Sequence, residues 1–290
     1  MRAVNGHVTL VAATALALGL AACSSMESPN AVLTQQEAQS VADVVVADAA
    51  SLADAASYDA ASGVPMASAP ANATTAQPCP TISPLPVVNR DGDMPPDSVH
   101  FDFTGCIIQQ PLETITLSGA IDYVDPTPTT ADHSRRVRFT DFTRTVTKLL
   151  SGRTTSIELN GVRTFTGTAD ALEHSETNFR TDYTYADGST ATHVKTWSST
   201  FTAGVPGSIQ LGSPLPSGTW TITGTSTWTR ADRTYSLSVT TNPPLHYNAD
   251  CTVAPKFDAG TISAVVTRNG QTMNITVQFT ACGQYTVTRS

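Results

Sequence analysis

Polar and apolar positions alternate with a period of two along most of the chain after its first third. In the segment Gly218–Arg230, GTWTITGTSTWTR, threonine takes every second position, and the positions between include Trp220, Ile222 and Trp228. Because successive side chains of a strand point to opposite faces, this segment predicts a strand with one packed face and one hydroxyl-rich, solvated face. No stretch of this region has a 3.6-residue period over the length of a helix, so residues 96–290 predict an all-β domain.

Turn signals divide the same region into hairpins. Asn160-Gly161 and Asn269-Gly270 each lie between two alternating runs, and both dipeptides are typical of type I′ turns. Two further pairs of runs are separated by Asp187-Gly188 and by Ala231-Asp232. The spacing predicts an antiparallel meander of long hairpins with roughly ten to twelve strands. It leaves open whether the sheet forms a barrel, a sandwich or one broad curved sheet, and whether the domain is an internal duplication.

Residues 23–95 have a different composition, rich in Ala, Ser, Asp and Pro and poor in large apolar side chains. Such a segment is typical of a flexible tether that holds a folded domain away from its anchor. Part of it carries helical signals: Thr34 and Glu37 have the spacing of a capping box, and Gly63 provides a stop. The sequence therefore predicts a short helix over residues 35–60 or, as an alternative, a partly helical linker.

Residues 1–22 have the pattern of an export signal peptide. Their apolar run, VTLVAATALALGL, is too short to span a bilayer, and the tetrapeptide LAAC that ends at Cys23 resembles the lipobox of bacterial lipoproteins. The resemblance implies cleavage before Cys23, diacylglycerol on its thiol and a further acyl chain such as palmitate on the new amino terminus, which together anchor a protein stably. Ser24, in place of the Asp that tends to keep lipoproteins at the inner membrane, favours the outer membrane, facing either the periplasm or the surface. The alternative is an ordinary signal peptide with an incidental cysteine.

Four cysteines remain after Cys23: Cys79, Cys106, Cys251 and Cys282. An even number in an exported chain predicts two disulfides, and counting alone allows three pairings. An internal repeat favours one of them, because VHFDFTGC and ITVQFTAC resemble each other and each has a second cysteine about thirty residues upstream. A duplicated module would pair Cys79 with Cys106 and Cys251 with Cys282. The alternative is a zinc site, although this spacing lacks the close cysteine pairs of metal-binding loops.

Charge and hydropathy limit the partners that the chain is expected to have. The formal net charge is −8, and no cluster of Lys or Arg follows a phosphate backbone, so nucleic acid is not an expected partner. No second apolar stretch of the sequence approaches the length of a membrane span, which leaves Cys23 as the evident anchor.

Candidate chemistry is sparse, since the sequence has no HExxH, Walker or GxSxG motif. Asp91 and Asp93, with Asp97 beyond them, offer carboxylates for calcium, but the EF-hand spacing is absent and a solvated turn is favoured. Two pairs share strand faces, as alternation produces by default: His100 with Asp102, and His193 with Lys195. The sequence therefore predicts no catalytic residue, no metal site and no cofactor.

Seven aromatic side chains lie in neighbouring predicted hairpins. They can form a sugar-stacking platform, line an apolar groove or fill the core of the sheet, and the core is the favoured interpretation. The seven are Trp197, Trp220, Trp228, Tyr183, Tyr185, Tyr235 and Tyr247.

Most of residues 97–290 resembles a loose set of uncharacterised, Thr-rich, all-β lipoproteins of the bacterial envelope. The matching features are the lipobox, the two strands that end in Phe-Thr-small-Cys, the segment SIELNGVRTFTGT, and GTWTITGTSTW followed further on by Asp250-Cys251. Proteins of that kind often carry Asp-Phe-Gly before the cysteine, whereas Asp102-Phe103 is followed here by Thr104. The resemblance implies no activity and no catalytic residues.

The favoured function is that of a membrane-anchored, non-enzymatic binding or structural module of the envelope. Its expected partners are membrane lipid, through acylated Cys23, and an envelope protein or a glycan. One alternative is a carrier of lipid or another hydrophobic ligand, which needs an exposed apolar concavity. A second alternative is a hydrolase of glycans or esters, which needs paired carboxylates or a Ser-His pair in a cleft.

Overall fold

The part of the chain that the structure describes contains one helix and fourteen strands. The computed structural model describes residues 33–56, 79–93, 96–210, 213–230 and 233–290. The elements are α1 (Gln35–Ala56), β1 (Thr81–Ser83), β2 (Ser98–Asp102), β3 (Cys106–Gln109), β4 (Glu113–Val124), β5 (Arg135–Lys148), β6 (Thr154–Gly167), β7 (Ala171–Thr184), β8 (Thr190–Ala203), β9 (Gly218–Arg230), β10 (Arg233–Thr241), β11 (Leu245–Tyr247), β12 (Phe257–Arg268), β13 (Gln271–Ala281) and β14 (Gln284–Arg289).

All the strands belong to one antiparallel sheet with the order β1-β2-β4-β5-β6-β7-β8-β9-β10-β12-β13-β14. Strand β3 pairs with β4, and β11 pairs with both β9 and β12. Strands that follow one another from β4 to β10 are also neighbours in the sheet, so the predicted all-β antiparallel meander is confirmed. The number of strands exceeds the prediction because β1, β3 and β11 have too few residues for an alternating pattern to be recognised.

Burial along the long strands follows the predicted alternation. In β9, Trp220 and Ile222 are almost fully buried, while the threonines at positions 219, 221, 223, 225 and 227 are exposed. In β5, Val137 and Phe139 are buried and the arginines beside them at positions 136 and 138 are exposed. One face of the sheet is therefore the packed face and the other is solvated.

Two of the predicted turns form hairpins, and a third lies outside the described residues. Asp187-Gly188 joins β7 to β8, and Asn269-Gly270 joins β12 to β13 with positive φ at both residues. Ala231-Asp232 is not described, but β9 and β10 on either side of it pair with each other from Arg230 and Arg233 onwards.

The hairpin turn predicted at Asn160-Gly161 is wrong, because both residues lie inside the long strand β6. The register of β6 shifts there against both neighbouring strands. The Asn160 side chain accepts a hydrogen bond from the backbone N–H of Asp141 at 2.8 Å, which uses its polarity within the sheet. Gly161 has a φ of +138°, and a Cβ at this position would lie 2.9 Å from Cδ2 of Phe179. This glycine therefore serves a bulge and a close contact with an aromatic ring.

Helix α1 is a layer of the fold. Its amino terminus has the predicted capping box, with Glu37 N–H donating to Thr34 Oγ1 at 3.1 Å and Thr34 N–H donating to Glu37 Oε2 at 2.9 Å. Six of its buried side chains form one stripe: Ala38, Ala42, Val45, Ala49, Leu52 and Ala56. This stripe belongs to the same hydrophobic cluster as the packed face of β6 to β14. The folded domain thus includes α1 and β1, both of which precede residue 96.

The packed face of the sheet carries two hydrophobic clusters. The larger one joins α1 to strands β6 to β14 and contains Trp197, Phe201 and Trp220. The smaller one lies on strands β2 to β5 and contains Phe103 and Phe139, with Phe179 contributed by β7.

Two disulfides hold segments at the borders of the sheet. Cys79 is bonded to Cys106 with a Cα–Cα distance of 5.5 Å, and Cys251 is bonded to Cys282 with a Cα–Cα distance of 5.6 Å. These are the pairs that the internal repeat predicts. Each bond closes a loop of about thirty residues.

Candidate functional site

The face of the sheet that points away from α1 is covered with hydroxyl groups over β8, β9 and β10. Every outward position of these three strands is Thr or Ser, with the single exception of Val194. The outward hydroxyl residues are Thr190, Thr192, Thr196, Ser198, Thr200 and Thr202 on β8, Thr219, Thr221, Thr223, Thr225, Thr227 and Thr229 on β9, and Thr234, Ser236, Ser238 and Thr240 on β10. We call this surface the threonine face.

The strand register arranges the threonine face as a regular grid. Thr225 lies opposite Thr196 on one side and Ser238 on the other. Neighbouring strands of a sheet are about 4.8 Å apart, and alternate residues of one strand are about 7 Å apart. Each hydroxyl can donate and accept a hydrogen bond. Because the branched threonine side chain has restricted χ1, little side-chain entropy is lost when a partner binds. The face is therefore a preorganised, uncharged hydrogen-bonding surface.

A shallow groove continues this surface towards β6 and β7, with a volume of about 430 Å³. Its outward-facing lining comes from Thr164, Thr166, Glu173, Ser175, Ser198, Thr200, Thr221 and Thr223. Glu173 supplies a carboxylate among the hydroxyl groups, and it is exposed to solvent. The Glu173 carboxylate thus adds a charged hydrogen-bond acceptor to the hydroxyl groups of the groove.

A second cavity, of about 540 Å³, lies on the other side of the sheet, between α1 and the ends of strands β7 to β10. Its aromatic lining is formed by Tyr185, Trp228 and Tyr235, and Val41 and Val44 of α1 add apolar surface. This combination of aromatic and apolar walls is typical of sites for small amphipathic molecules.

Charged groups lie at the rim of this cavity. The Arg233 side chain is 2.6 Å from a carboxylate oxygen of Glu37, and the Arg230 guanidinium lies 4.6 Å above the Tyr185 ring. Burial raises the pKa of Glu37, but hydrogen bonds from Thr34 and the charge of Arg233 outweigh that effect, so the net result is a lowered pKa. Glu37 is therefore an anion at neutral pH and holds the first turn of α1 to β10.

A buried ionic cluster lies under the middle of α1. Lys195 of β8 donates to Asp48 of the helix at 2.8 Å and lies 3.5 Å from Glu176 of β7. Arg163 of β6 contacts the same glutamate at 3.1 Å and lies 4.2 Å above the Phe179 ring. Asp48, Glu176 and Lys195 are each less than a tenth exposed. Two carboxylates thus meet two basic groups, and the charges balance without solvent.

Two histidines complete this cluster and are held neutral. Burial, followed by the nearby charges of Arg163 and Lys195, lowers the pKa of His174 to about 3. Burial also lowers the pKa of His193, although the charge of Asp48, 3.6 Å away, acts in the opposite direction. Neutral rings keep the cluster from gaining excess positive charge at neutral pH.

Three carboxylates come together beyond the end of β4. One oxygen each of Asp91, Asp93 and Asp125 lies within 4.8 Å of the others. Burial raises the pKa of Asp93, and repulsion by Asp91 and Asp125 acts in the same direction. A hydrogen bond from the Asp132 backbone N–H lowers the pKa but does not reverse the net rise. The sequence favoured a solvated turn here, but Asp93 and Asp125 are each only 2 % exposed. Sequence inspection missed Asp125, because more than thirty residues separate it from Asp91.

Asp97, the third acidic residue considered with this turn, lies apart from the cluster. Its carboxylate accepts hydrogen bonds from the Arg90 backbone N–H at 3.0 Å and from Arg90 Nε at 2.5 Å.

Three of the four residues that strand alternation pairs, all except Asp102, have a partner on another element. His100 lies 2.6 Å from Asp122 on the neighbouring strand β4, while Asp102 accepts a hydrogen bond from the Thr104 backbone. His193 and Lys195 do lie on one face, and both contact Asp48 of α1. Cys23, the predicted lipidation residue, lies outside the described residues.

The seven aromatic residues divide between the core and the cavity. Four of them are buried in the larger hydrophobic cluster: Trp197, Trp220, Tyr235 and Tyr247. Trp228 and Tyr185 are partly exposed and line the cavity, and Tyr183 packs against both of their rings. The core interpretation therefore holds for the buried four, of which Tyr235 also borders the cavity, and the groove interpretation fits Trp228 and Tyr185.

No family model, curated protein or solved structure matches this chain. The resemblance to Thr-rich envelope lipoproteins stays a prediction. Within the described ranges, which begin at residue 33, no helix combines the length and the apolar character needed to cross a membrane.

Proposed function

We propose that this protein is an envelope lipoprotein, anchored through Cys23 in the outer membrane, that acts as a non-enzymatic binding module. The observation that carries the proposal is the threonine face, an uncharged hydroxyl surface that spans three long adjacent strands. The two disulfides fit an oxidising, extracytoplasmic compartment, and the lipobox supplies the anchor.

The chemistry of the threonine face favours a neutral, hydroxyl-rich polymer as its partner. The outward positions of β8, β9 and β10 carry no Asp, Glu, Lys or Arg, so a charged partner gains no ion pair there. A glycan strand presents hydroxyl and ether oxygens at short intervals and can bond to many short side chains at once. Because each contact is weak, affinity would come from the number of contacts along the polymer.

A pull-down on insoluble cell-wall polysaccharide tests the proposed contact. Full-length protein with Cys23→Ser, exported without its lipid, is mixed with the polysaccharide, and the bound fraction is measured over a range of protein concentrations. Thr225→Lys places a long cation at the centre of the face without disturbing buried atoms, and we expect it to lower the affinity at least tenfold. The matched control is Ser151→Lys, which adds the same charge in the exposed turn after β5. Equal binding of both variants and the parent protein would refute a role for the face.

The proposed anchor has a separate test. Mass spectrometry of the protein extracted from membranes should show a chain that begins at Cys23 and carries added acyl mass. Cys23→Ser should move the protein to the soluble fraction. A chain that starts elsewhere and carries no lipid would contradict the anchor while leaving the test of the face intact.

A second candidate function, carriage of a small amphipathic ligand, is favoured by the cavity between α1 and the sheet. That cavity has aromatic and apolar walls and charged groups at its rim, which fits a ligand with a hydrophobic body and a polar end. Native mass spectrometry of the Cys23→Ser protein would reveal a co-purified ligand as added mass. Val44→Phe, which fills the cavity from the helix side, should remove that mass, whereas Leu150→Phe at an exposed position should keep it. A protein without any added mass would favour the binding module over the carrier.

The hydrolase alternative has no comparable support among the described residues. The buried acids Asp48 and Glu176 are already occupied by Lys195 and Arg163.

A further inference from the structure

The acidic cluster of Asp91, Asp93 and Asp125 has unused bonding capacity. One oxygen of each carboxylate, Oδ2 of Asp91, Oδ1 of Asp93 and Oδ2 of Asp125, is shielded from solvent and has no hydrogen-bond partner. The Asp93 and Asp125 residues are each 98 % buried. A buried carboxylate oxygen without a partner is costly, and three of them close together repel one another as well.

The other oxygen of each carboxylate is held by a nearby donor. Asp93 Oδ2 accepts from the Asp132 backbone N–H at 3.0 Å, and Asp125 Oδ1 accepts from the Thr127 backbone N–H at 2.7 Å. Asp91 Oδ1 accepts from the Asp93 backbone N–H at 3.3 Å. These bonds fix the orientation of all three carboxylates, and each carboxylate keeps one buried oxygen without a hydrogen-bond partner. Hydrogen bonds of this kind orient the ligands of many metal sites.

We infer that Asp91, Asp93 and Asp125 form a binding site for a divalent cation, and that the cation is calcium. Oxygen ligands lie about 2.3 to 2.6 Å from Ca²⁺, so two ligands of one ion can be no more than about 5 Å apart. One carboxylate oxygen of each residue lies within 4.8 Å of the others, which satisfies that limit. Mg²⁺ requires ligands at about 2.0 to 2.1 Å in near-ideal octahedral geometry and gives up its waters reluctantly, so it fits this set less well. The ligands are all hard oxygen donors, which disfavours zinc and copper.

The bound cation would link two segments that are distant in sequence. Asp91 and Asp93 belong to the segment between β1 and β2, and Asp125 follows β4 directly. Backbone bonds already bring these segments together, from Asp125 N–H to the Asp97 carbonyl at 3.1 Å. None of the three carboxylates belongs to β8, β9 or β10, which form the threonine face, and the inference does not depend on the proposed function.

Thermal unfolding with added salts tests the inference on the full-length Cys23→Ser protein. The protein is stripped with a chelator and then melted in 10 mM CaCl₂, in 10 mM MgCl₂ and in KCl at matched ionic strength. With an affinity in the millimolar to sub-millimolar range typical of extracellular calcium sites, calcium should raise the Tm by on the order of 5 °C. Magnesium should give a much smaller shift, and KCl should give none of comparable size.

Two variants and a control complete the experiment. Asp93→Asn removes one ligand charge and should abolish the calcium shift, and without calcium it should melt at or above the temperature of the chelated parent, because repulsion among the buried carboxylates is relieved. Asp125→Asn provides the same test from the other segment if Asp93→Asn fails to fold. Asp187→Asn, in the exposed turn between β7 and β8, should keep the full shift. The absence of a calcium shift in the parent protein, or a shift retained in both ligand variants, would overturn the inference.

Discussion

Replacing Asp48 by Asn tests whether the buried ionic cluster holds helix α1 to the sheet. The substitution keeps the size of the side chain and removes its charge. Lys195, which is only 4 % exposed, then keeps Glu176 as its remaining acidic partner, but Glu176 is shared with Arg163. One carboxylate would face two basic groups, the buried Lys195 and the partly buried Arg163, leaving an uncompensated positive charge under the helix.

The expected cost follows from that imbalance. Breaking a buried ion pair by removing one partner typically destabilises a protein by about 3 to 5 kcal/mol. Because Glu176 still lies 3.5 Å from Lys195, we expect the lower end of that range, about 3 kcal/mol. Lys195→Met alone should cost a similar amount, since it leaves two carboxylates with Arg163. The double variant leaves Glu176 and Arg163 as a balanced pair, so it should lose no more stability than either single variant. That result corresponds to a coupling energy of about 3 kcal/mol between the two positions.

Urea unfolding measures these differences. Tryptophan fluorescence is a suitable probe because Lys195 lies 5.4 Å from the Trp197 ring, and far-UV circular dichroism checks that both probes report one transition. The matched control is Asp43→Asn on the same helix, where the carboxylate is exposed and accepts a hydrogen bond from Tyr285 at 2.7 Å. That control should cost less than about 1 kcal/mol. If Asp48→Asn costs no more than the control, or if the single costs simply add in the double variant, the cluster does not secure the helix as we infer.

Three further predictions concern stability. The pKa of His174 is about 3 in the folded protein against 6.5 in a free side chain, so the unfolded chain takes up the proton first and stability falls as pH drops from about 6.5 towards 3. Between pH 7.5 and 4.5 this group should account for roughly 2 to 3 kcal/mol, and urea titrations of His174→Gln should lack that part of the loss. Gly161→Ala puts a Cβ 2.9 Å from the Phe179 ring at a positive φ, and thermal melts should show destabilisation of roughly 2 to 4 kcal/mol; an unchanged Tm would contradict the assigned bulge. Opening the Cys251–Cys282 bond with a double serine variant should cost about 3 to 4 kcal/mol for its loop length, measured by urea unfolding against the oxidised parent, and a cost near zero would argue that the bond adds no constraint.

The fold could be predicted where the pattern is local. Alternation over β9 and β5 correctly assigned both the strands and their packed faces, because side-chain direction in a strand depends only on residue parity. The Asn269-Gly270 turn was found for the same reason, since a type I′ turn needs two residues that tolerate positive φ. Asn160-Gly161 has the same local signal, but pairing of β6 with two neighbouring strands outweighed it and turned the dipeptide into a bulge. At this position the hydrogen bonds of β6 to β5 and β7 stabilise the extended strand more than the turn preference of the dipeptide stabilises a hairpin.

The candidate sites also differ in whether a local sequence pattern could predict them. The threonine face follows from parity alone, so its outward hydroxyl groups could be named from the sequence of β9. The calcium-site geometry could not, because Asp125 meets Asp91 and Asp93 only through the path of the chain from β1 to β4. Lys195 gave no sign of its partner either, since Asp48 lies 147 residues away on a helix whose composition suggested a tether.

By itself, the sequence determined the antiparallel all-β class and the hydroxyl character of the outward face. It also favoured the cysteine pairs of the repeat, and it offered a helix begun by a capping box at Thr34 as one of two interpretations. These depend on parity, on repetition and on hydrogen bonds between residues a few positions apart. Only the tertiary structure decided that α1 covers the packed face, that its Asp48 neutralises Lys195, and that three distant carboxylates share one buried space. Those features depend on how segments that are distant in the sequence pack against one another, and a local pattern of residues does not encode that packing.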